Sequence, residues 1–580
     1  MRKFYKCVEV ILISVIVFAL SVAFGNPSYE TNDDAIQNMI AAGAYGEASQ
    51  YIVHSGIFFG YLIKGLYFLL PHINCYLWTF LILNLFSTII ITMVFNEGIV
   101  LAFGAKKIGG GTGQAAVEFF ETACFAILIN LFLAKDYYIN LQYTKCATIY
   151  ILTGCALWFW ILHNRRNTFL LMLASFYIVI GFLVRKECMI LVIPFIAILL
   201  FDIVVDKKEK WVLYLLIPII GCILCIIADY FAFDMNPDWN YYYQWDKIMV
   251  QKRDYGNYYF DWNKDEYLVN GFTEWDFRLM EEWMWNDTDN FTLDKLKLMT
   301  EIGSGQKMNR FRVSKELLSQ TIKKIEESVK VSVLPLVFFV LTIFSLILSI
   351  IRKDIRRTLY TLLFGDITLG EIYYLLCIRR TVWRVEYGIW FSGIIFITSV
   401  VLIPLLKNMI KSRGESNNMY SRVICWISIP VVIVLLFFWQ KTYLYFTCTS
   451  FQNNDEERYS IFTKMDESDC LFVMSIDDMF GTLCGARNIF DIDRKYEGFY
   501  SHIIPVGGWI IPSPIGMYYA YQNGISNVFQ NLSDREDMYY YGGGEHMGYL
   551  YAYLNEKYGP GIQVKNVEFD GFTAWKYYRE

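Results

Sequence analysis

Long apolar runs separated by shorter polar segments dominate the pattern of this chain. Each run is long enough to cross a hydrocarbon layer of roughly 30 Å as an α-helix, which needs about 17–25 residues. We therefore expect an α-helical polytopic membrane protein with about eleven transmembrane helices. The predicted spans are residues 7–25, 76–95, 114–134, 143–162, 167–184, 187–203, 211–231, 331–350, 358–378, 386–408 and 421–440.

The first apolar run has two interpretations. Arg2 and Lys3 precede it, and Ser21–Ala23 offers small residues of the kind at which a signal peptide is cleaved. The many later spans favour a retained first helix instead. With the N-terminus in the cytoplasm, the loops assigned to the inside carry more Lys and Arg than the short loops outside, as the positive-inside rule requires. Eleven crossings then place the C-terminus outside the plasma membrane.

Three segments on the predicted outer side are too long to be simple turns. The first loop, residues 26–75, contains an apolar stretch at 51–62 that is typical of a helix lying along the membrane surface. The loop at 232–330 has helical periodicity at 275–280 and 314–330. Residues 441–580 follow the transmembrane part, 1–440, as a small extracytoplasmic α/β domain. We predict its elements at 470–475 (a buried strand), 549–558 (a helix) and 564–569 with 572–578 (a hairpin).

Composition supports membrane placement and excludes some partners. The chain is 55% apolar and only 18% charged, whereas a soluble domain has about 25% charged residues. The net charge of −5 does not suggest a nucleic-acid partner. The thirteen cysteines show no zinc-site spacing and no disulfide framework.

Two adjacent acids, Asp33 and Asp34, follow the first span closely. Carboxylates beside a membrane surface are costly to desolvate unless they meet water, a metal or a basic group, so they are candidates for chemistry. The alternative is a helix start, with Asn32 or Asp33 as the N-cap and the acids favoured by the helix dipole. A cap would fix one carboxylate and leave the other pointing outward.

Basic side chains gather at the outer ends of the spans, against the usual bias. An anionic ligand such as a lipid phosphate would compensate for them, and Arg would bind it in bidentate geometry. The alternative is pairing within the protein, Arg185 with Glu187 and Arg384 with Glu386, plus snorkelling to headgroups. The cations that we assign to this group are Lys135, Lys145, Arg185, Lys186, Arg380 and Arg384.

A few further residues are weaker candidates. His54 and His72 lie in the first loop as possible ligands, although lone histidines near aromatic surface are usually only hydrogen-bonded. Asp477 and Asp478 follow the predicted strand of the tail, where α/β folds bind ligands, but a turn or cap explains them better. A divalent metal is possible, but nothing in the sequence requires one.

The order of these parts resembles the GT-C superfamily of polytopic glycosyltransferases. Short motifs are also similar to those of uncharacterised Firmicute and Bacteroidetes membrane proteins. They are Asn32-Asp33-Asp34, Gln142-Tyr143-Thr144, Arg185-Lys186-Glu187, Arg253-Asp254-Tyr255, and Trp275-Asp276 with Trp283. The resemblance implies that Asp33 and Asp34 are in the place of the superfamily's acidic pair, which acts as catalytic base or metal ligand.

This resemblance implies transfer of a sugar from a polyprenyl-phosphate donor to a cell-surface glycan acceptor, on the outer side of the plasma membrane. Asp33 or Asp34 would deprotonate the acceptor, and the outer cations would hold the leaving phosphate. His54, Arg253 and Trp275 would shape the acceptor groove. Two alternatives remain open: a transporter or flippase of lipid-linked glycan, and a non-catalytic envelope glycan assembly protein.

Overall fold

The computed structural model describes residues 2–25, 27–103, 112–163, 167–205, 212–256, 258–306, 314–406, 456–476, 478–479, 489–490 and 497–579. The predicted span at 421–440 lies outside these residues, and so does Asp477. Most of the described chain is helical. Seven of its helices are long and apolar enough to cross a membrane, and three shorter apolar helices accompany them.

In the described part of the chain, seventeen α-helices lie between residues 2 and 396. They are α1 (2–24), α2 (32–42), α3 (57–69), α4 (75–103), α5 (112–134), α6 (143–163), α7 (168–184), α8 (187–205), α9 (212–229), α10 (237–253), α11 (264–269), α12 (274–281), α13 (293–302), α14 (315–331), α15 (334–351), α16 (355–377) and α17 (383–396). Ten predicted spans coincide with helices in this set. Helix α16 lies at the predicted span 358–378 but carries Asp366 and Glu371 within its apolar stretch, so it is not among the seven.

Small residues let two central helices, α6 and α7, approach closely. A Cβ atom added at Gly154 would come within 2.6 Å of the Ala174 carbonyl oxygen, and one at Gly181 within 2.6 Å of the Ala147 carbonyl oxygen. Glycine at both positions therefore permits backbone-to-backbone packing, as small residues do between membrane helices. Helix α17 is buried on all sides and completes the centre of the bundle.

One end of the bundle is covered by the first loop. The Ser55 hydroxyl donates to the Val184 carbonyl at 2.9 Å, and the Ile57 backbone N–H donates to Asp229 Oδ1 at 2.8 Å. These bonds tie the start of α3 to the ends of α7 and α9. Two short strands, β1 (28–29) and β2 (140–141), pair in parallel at the same end. We call the end of the bundle that the first loop covers the loop-covered end.

The tail forms a five-stranded mixed sheet. Its strands are β3 (471–474), β4 (503–505), β5 (538–540), β6 (562–569) and β7 (572–579), in the order β4-β3-β5-β7-β6. Strand β3 runs parallel to both β4 and β5, whereas β7 is antiparallel to β5 and β6. Helices α18 (456–466), α19 (518–522), α20 (528–534) and α21 (544–558) accompany the sheet. The predictions of a buried strand, a helix and a closing hairpin in this region are confirmed.

Segment 232–306 packs directly on the tail. The backbone N–H of Asn286 donates to the Val506 carbonyl at 3.0 Å, and the Tyr242 hydroxyl donates to the Trp509 carbonyl at 2.6 Å. Tyr500 in the tail also donates its N–H to the Ala44 carbonyl of the first loop at 3.0 Å. The tail, the first loop and segment 232–306 therefore lie together at the loop-covered end.

A buried acid holds this packing in place. Asp276 is fully buried and contacts two lysines, Lys557 of the tail at 3.0 Å and Lys295 at 3.4 Å. We expect Asp276→Ala to lower the free energy of unfolding by about 3 kcal/mol, because it leaves two partly buried cations without their shared carboxylate. Thermal unfolding of the solubilised protein measures this change.

The matched control is Asp294→Ala. This side chain is 97% exposed and lies 3.8 Å from Lys297, so its removal should change the unfolding free energy by less than about 0.5 kcal/mol. Equal stability of the two variants would show that Asp276 does not hold the tail against segment 232–306.

Candidate functional site: an arginine cluster beside a carboxylate

Four arginines from three separate parts of the chain lie close enough to His54, at the loop-covered end, for their charges to act on its imidazole. The pKa of His54 is lowered well below its usual value, first by burial and then by the positive charges of Arg185, Arg253, Arg384 and Arg380. Arg185 ends α7, Arg253 ends α10, and the other two flank the start of α17. We call these four residues the arginine cluster. The four arginines and His54 make five of the predicted site residues.

Two members of the cluster are neutralised by aspartates. Arg253 contacts Asp246 at 3.2 Å and Asp254 at 3.3 Å, and its guanidinium lies 4.8 Å from the centre of the Trp283 ring. The other oxygen of Asp254 contacts Arg380 at 3.0 Å. Asp254 therefore bridges the end of α10 and the turn before α17, and it fixes both guanidinium groups in position.

The other two members keep donors available. Arg384 lies 3.8 Å from Asp33 and makes no hydrogen bond to any described residue. Arg185 donates to the hydroxyl oxygens of Tyr143 and Thr144 and lies 3.7 Å from the exposed Glu187. A guanidinium carries five N–H donors, so both side chains can still bind an anion. Each is partly exposed to solvent.

The two adjacent acids have different surroundings. Asp34 is fully buried, and its Oδ1 accepts hydrogen bonds from the Tyr143 backbone N–H at 2.9 Å and the Tyr76 hydroxyl at 3.1 Å. Burial first, and the charge of Asp33 next, raises the pKa of Asp34 well above its usual range. The Asp33 side chain is 14% exposed and faces Arg384. Asp33 is therefore the acid that a ligand in the cluster can reach.

The helix start differs from the predicted one. Helix α2 begins at Asn32, its N-cap is Thr31, and the Thr31 side chain makes no capping hydrogen bond. The prediction that Asn32 or Asp33 caps the helix is therefore wrong. Both acids lie in the first turn, where the helix dipole favours negative charge, so that part of the interpretation is confirmed.

An aromatic wall closes one side of the site. The His54 ring lies 5.0 Å from the ring of Trp509, and His54 has a positive φ of 71°. Trp509 is buried, and its indole N–H has no hydrogen-bond partner in the described part of the chain. A buried donor without a partner costs about 1–3 kcal/mol.

Several predicted site residues lie outside the cluster. Lys145 is buried between Glu30 at 2.5 Å and Asp136 at 2.9 Å, so its charge is already compensated within the protein. Lys135 is buried in the π-helical turn after α5, and Lys186 is exposed at the start of α8. Trp275 packs against Tyr549 of α21.

The pairing alternative is correct for one pair and wrong for the other. Arg185 does approach Glu187, but Glu386 does not pair with Arg384. Glu386 is buried, contacts Lys324 of α14 at 2.9 Å and accepts a hydrogen bond from Ser328 at 2.8 Å. This pairing leaves Arg384 free to face Asp33. In the residues that the structure covers, no group of three or more His, Cys, Asp or Glu side chains is arranged to hold a metal ion.

Residues beyond the predicted set complete the site. Asp254, Tyr143 and Trp509 position the cluster or line it. The first two stand inside motifs noted in the sequence, and no local pattern singles out Trp509. Fold and site together define a polytopic helical membrane protein with a polar, arginine-rich centre at one end of its bundle. No protein-family model matches the chain, and no curated protein matches it.

Proposed function

We propose that this protein is a membrane glycosyltransferase that moves a sugar from a polyprenyl-phosphate donor to a cell-envelope acceptor. The observation that carries the proposal is Arg384, which has unused N–H donors and lies 3.8 Å from the accessible carboxylate of Asp33. A cation beside a base is the pair of groups that this transfer needs. The cation binds the phosphate, and the base activates the acceptor hydroxyl.

The position of the cluster suits a lipid phosphate. Arg185 and Arg380 follow the ends of apolar helices. A lipid phosphate bound there would place its hydrocarbon tail beside the helical bundle and its phosphate among the guanidinium groups. Arginine binds phosphate oxygens in pairs, and these bonds are stronger than neutral ones. Asp246 and Asp254 neutralise Arg253 and Arg380, which leaves Arg185 and Arg384 to meet the charge of the phosphate.

The chemistry follows from this arrangement. Asp33 accepts the proton of the acceptor hydroxyl as that oxygen forms a bond to the anomeric carbon of the donor sugar. The bond between the anomeric carbon and the phosphate oxygen breaks, and its electron pair stays on the phosphate. Arg185 and Arg384 stabilise the charge that develops on this leaving group, in a site partly shielded from water.

The proposal includes an orientation. The N-terminus lies in the cytoplasm, and the loop-covered end with the tail faces the extracytoplasmic side. The lipid-linked donor then reaches the arginine cluster from the outer leaflet, where envelope glycans are assembled. The excess of Lys and Arg in the loops assigned to the inside supports this orientation.

Glycan analysis of the natural host tests the proposal. Cells that lack this protein should lose one sugar from their surface glycan and accumulate the matching polyprenyl-phosphate sugar. The intact gene should restore both. A surface glycan of unchanged composition, with no accumulated lipid-linked sugar, would refute the proposal. Movement of the lipid-linked sugar across liposome membranes without a covalent product would favour a flippase instead.

A further inference from the structure

A cavity of about 480 Å³ lies between segment 238–291 and residues 511–522 of the tail. Its size falls within the roughly 300–1,000 Å³ of small-molecule sites. It is distinct from the arginine cluster, because none of the four arginines lines it.

Six aromatic side chains are among the residues that line it. Trp245, Trp285 and Phe291 are buried in the wall, and their positions are fixed by packing. Tyr241 and Tyr521 at the rim are 40% and 56% exposed. Exposed rings beside a concave surface are typical of a binding site, since their apolar faces gain by being covered.

The polar groups of the cavity suit an uncharged ligand that carries hydroxyl groups. Asn286 is fully buried in the wall; its Nδ2 donates to the Pro505 carbonyl at 2.6 Å, and its Oδ1 has no partner in the described chain. Asp287 is already used, because its carboxylate accepts hydrogen bonds from Tyr553, Tyr558 and Asn527. The exposed Asp238 at the rim remains available.

The lining also argues against an anionic ligand. No Lys, Arg or His is among the described residues that line the cavity, while two carboxylates are. A phosphate would meet repulsion there, so the lipid donor belongs at the arginine cluster. A sugar ring has an apolar face for the aromatic side chains and hydroxyl groups for the exposed carboxylate of Asp238.

We infer that this cavity binds the neutral saccharide of the acceptor, an inference that rests on the proposed glycosyl transfer. The two sites share a wall. Trp283 packs against Trp285 of the cavity at 5.7 Å, and on its ring lies Arg253 of the cluster at 4.8 Å. An acceptor chain held in the cavity can therefore extend past Trp283 towards the cluster.

Ligand-observed NMR on the full-length protein in nanodiscs tests the inference. The probes are short neutral oligosaccharides, β-linked N-acetylglucosamine and α-linked glucose chains. We expect wild type to bind at least one of them and Tyr521→Ala to weaken binding about tenfold, by loss of the stacking face. Tyr521→Phe keeps that face and should bind like wild type. Tyr259→Ala, an exposed tyrosine of the same outer region but outside the cavity, is the matched control.

Three outcomes would overturn the inference. The first is that neither oligosaccharide binds, and the second is binding that Tyr521→Ala leaves unchanged. The third is preferential binding of choline, which would make the cavity a cation site. Binding of polyprenyl monophosphate, measured on the same samples, separates this inference from the proposed function. If lipid binding persists and saccharide binding fails, only the inference falls. If saccharide binding persists and lipid binding fails, the cavity remains a saccharide site, but the proposed transferase has no binding site for its lipid-linked donor.

Discussion

Asp33→Asn is expected to abolish sugar transfer while leaving the fold and donor binding intact. The amide has nearly the shape of the carboxylate but cannot accept the acceptor proton. General-base catalysis contributes about 10²–10⁴-fold to a rate, so the variant should lose activity by at least a hundredfold. The measurement is the transfer rate of purified protein in nanodiscs, with the donor that accumulates in cells lacking the protein.

Asp34→Asn is the matched control, since the two acids are neighbours in one helix turn. Asp34 is fully buried, and its raised pKa favours the neutral form, which an amide resembles. The amide oxygen can still accept from the Tyr143 N–H and the Tyr76 hydroxyl. We therefore expect Asp34→Asn to retain most of its transfer rate per folded molecule. A fully active Asp33→Asn variant would remove the proposed base.

The double variant Arg185→Gln with Arg384→Gln is expected to bind polyprenyl monophosphate about a hundredfold more weakly than wild type. A hydrogen bond to a charged group contributes about 1.5 kcal/mol or more, which is about tenfold for each arginine. Arg384 makes no hydrogen bond to a described residue, so its replacement removes the 3.8 Å ion pair with Asp33 and breaks no hydrogen bond within the described chain. The measurement is a binding titration of the lipid in nanodiscs at two salt concentrations.

Arg278→Gln provides the control for loss of positive charge. Arg278 lies in segment 232–306 but outside the cluster, with Glu282 at 3.3 Å and a side chain that is 41% exposed. Its replacement should change lipid affinity less than twofold. Equal losses in the control and the double variant would show that net charge, rather than the arginine cluster, attracts the lipid.

Local patterns predicted most of the helices and strands, although the helix expected at 51–62 spans 57–69 instead. Ten apolar runs became helices because their length and hydrophobicity depend only on consecutive residues. The strand at 471–474 and the hairpin around Asp570 and Gly571 were likewise visible in short segments, where alternation and turn residues are informative. The first residue of α2 was harder to predict, because the N-cap position of Thr31 depends on the backbone path of the loop that leads into the helix.

The candidate site was predictable in part. The sequence showed an excess of cations at the outer ends of the spans, and their proximity depends on how distant helices pack. Lys145 illustrates the limit: the pattern placed it with Arg185, but Glu30 and Asp136 from other elements enclose it. Glu386 was predicted beside Arg384, yet α14 brings Lys324 to it instead.

Sequence patterns could not predict which aromatic residues would line the site. Trp509 lies more than 400 residues after His54 and meets it only because the tail packs on the first loop. The cavity lined by Tyr241 and Tyr521 has the same origin, since its two walls come from segments far apart in the chain. Aromatic content alone showed that these regions fold, without showing which rings would face a common space.

Photo-crosslinking tests the central claim most directly, that a lipid phosphate binds at the arginine cluster beside Asp33. The probe is polyprenyl monophosphate with a photoreactive group next to the phosphate, bound to wild-type protein in nanodiscs and mapped by mass spectrometry. We expect adducts in peptides that contain Arg185, Arg253 or Arg384, and competition by unlabelled polyprenyl monophosphate. Adducts spread along the lipid-facing helices, or confined to the opposite end of the bundle, would contradict it.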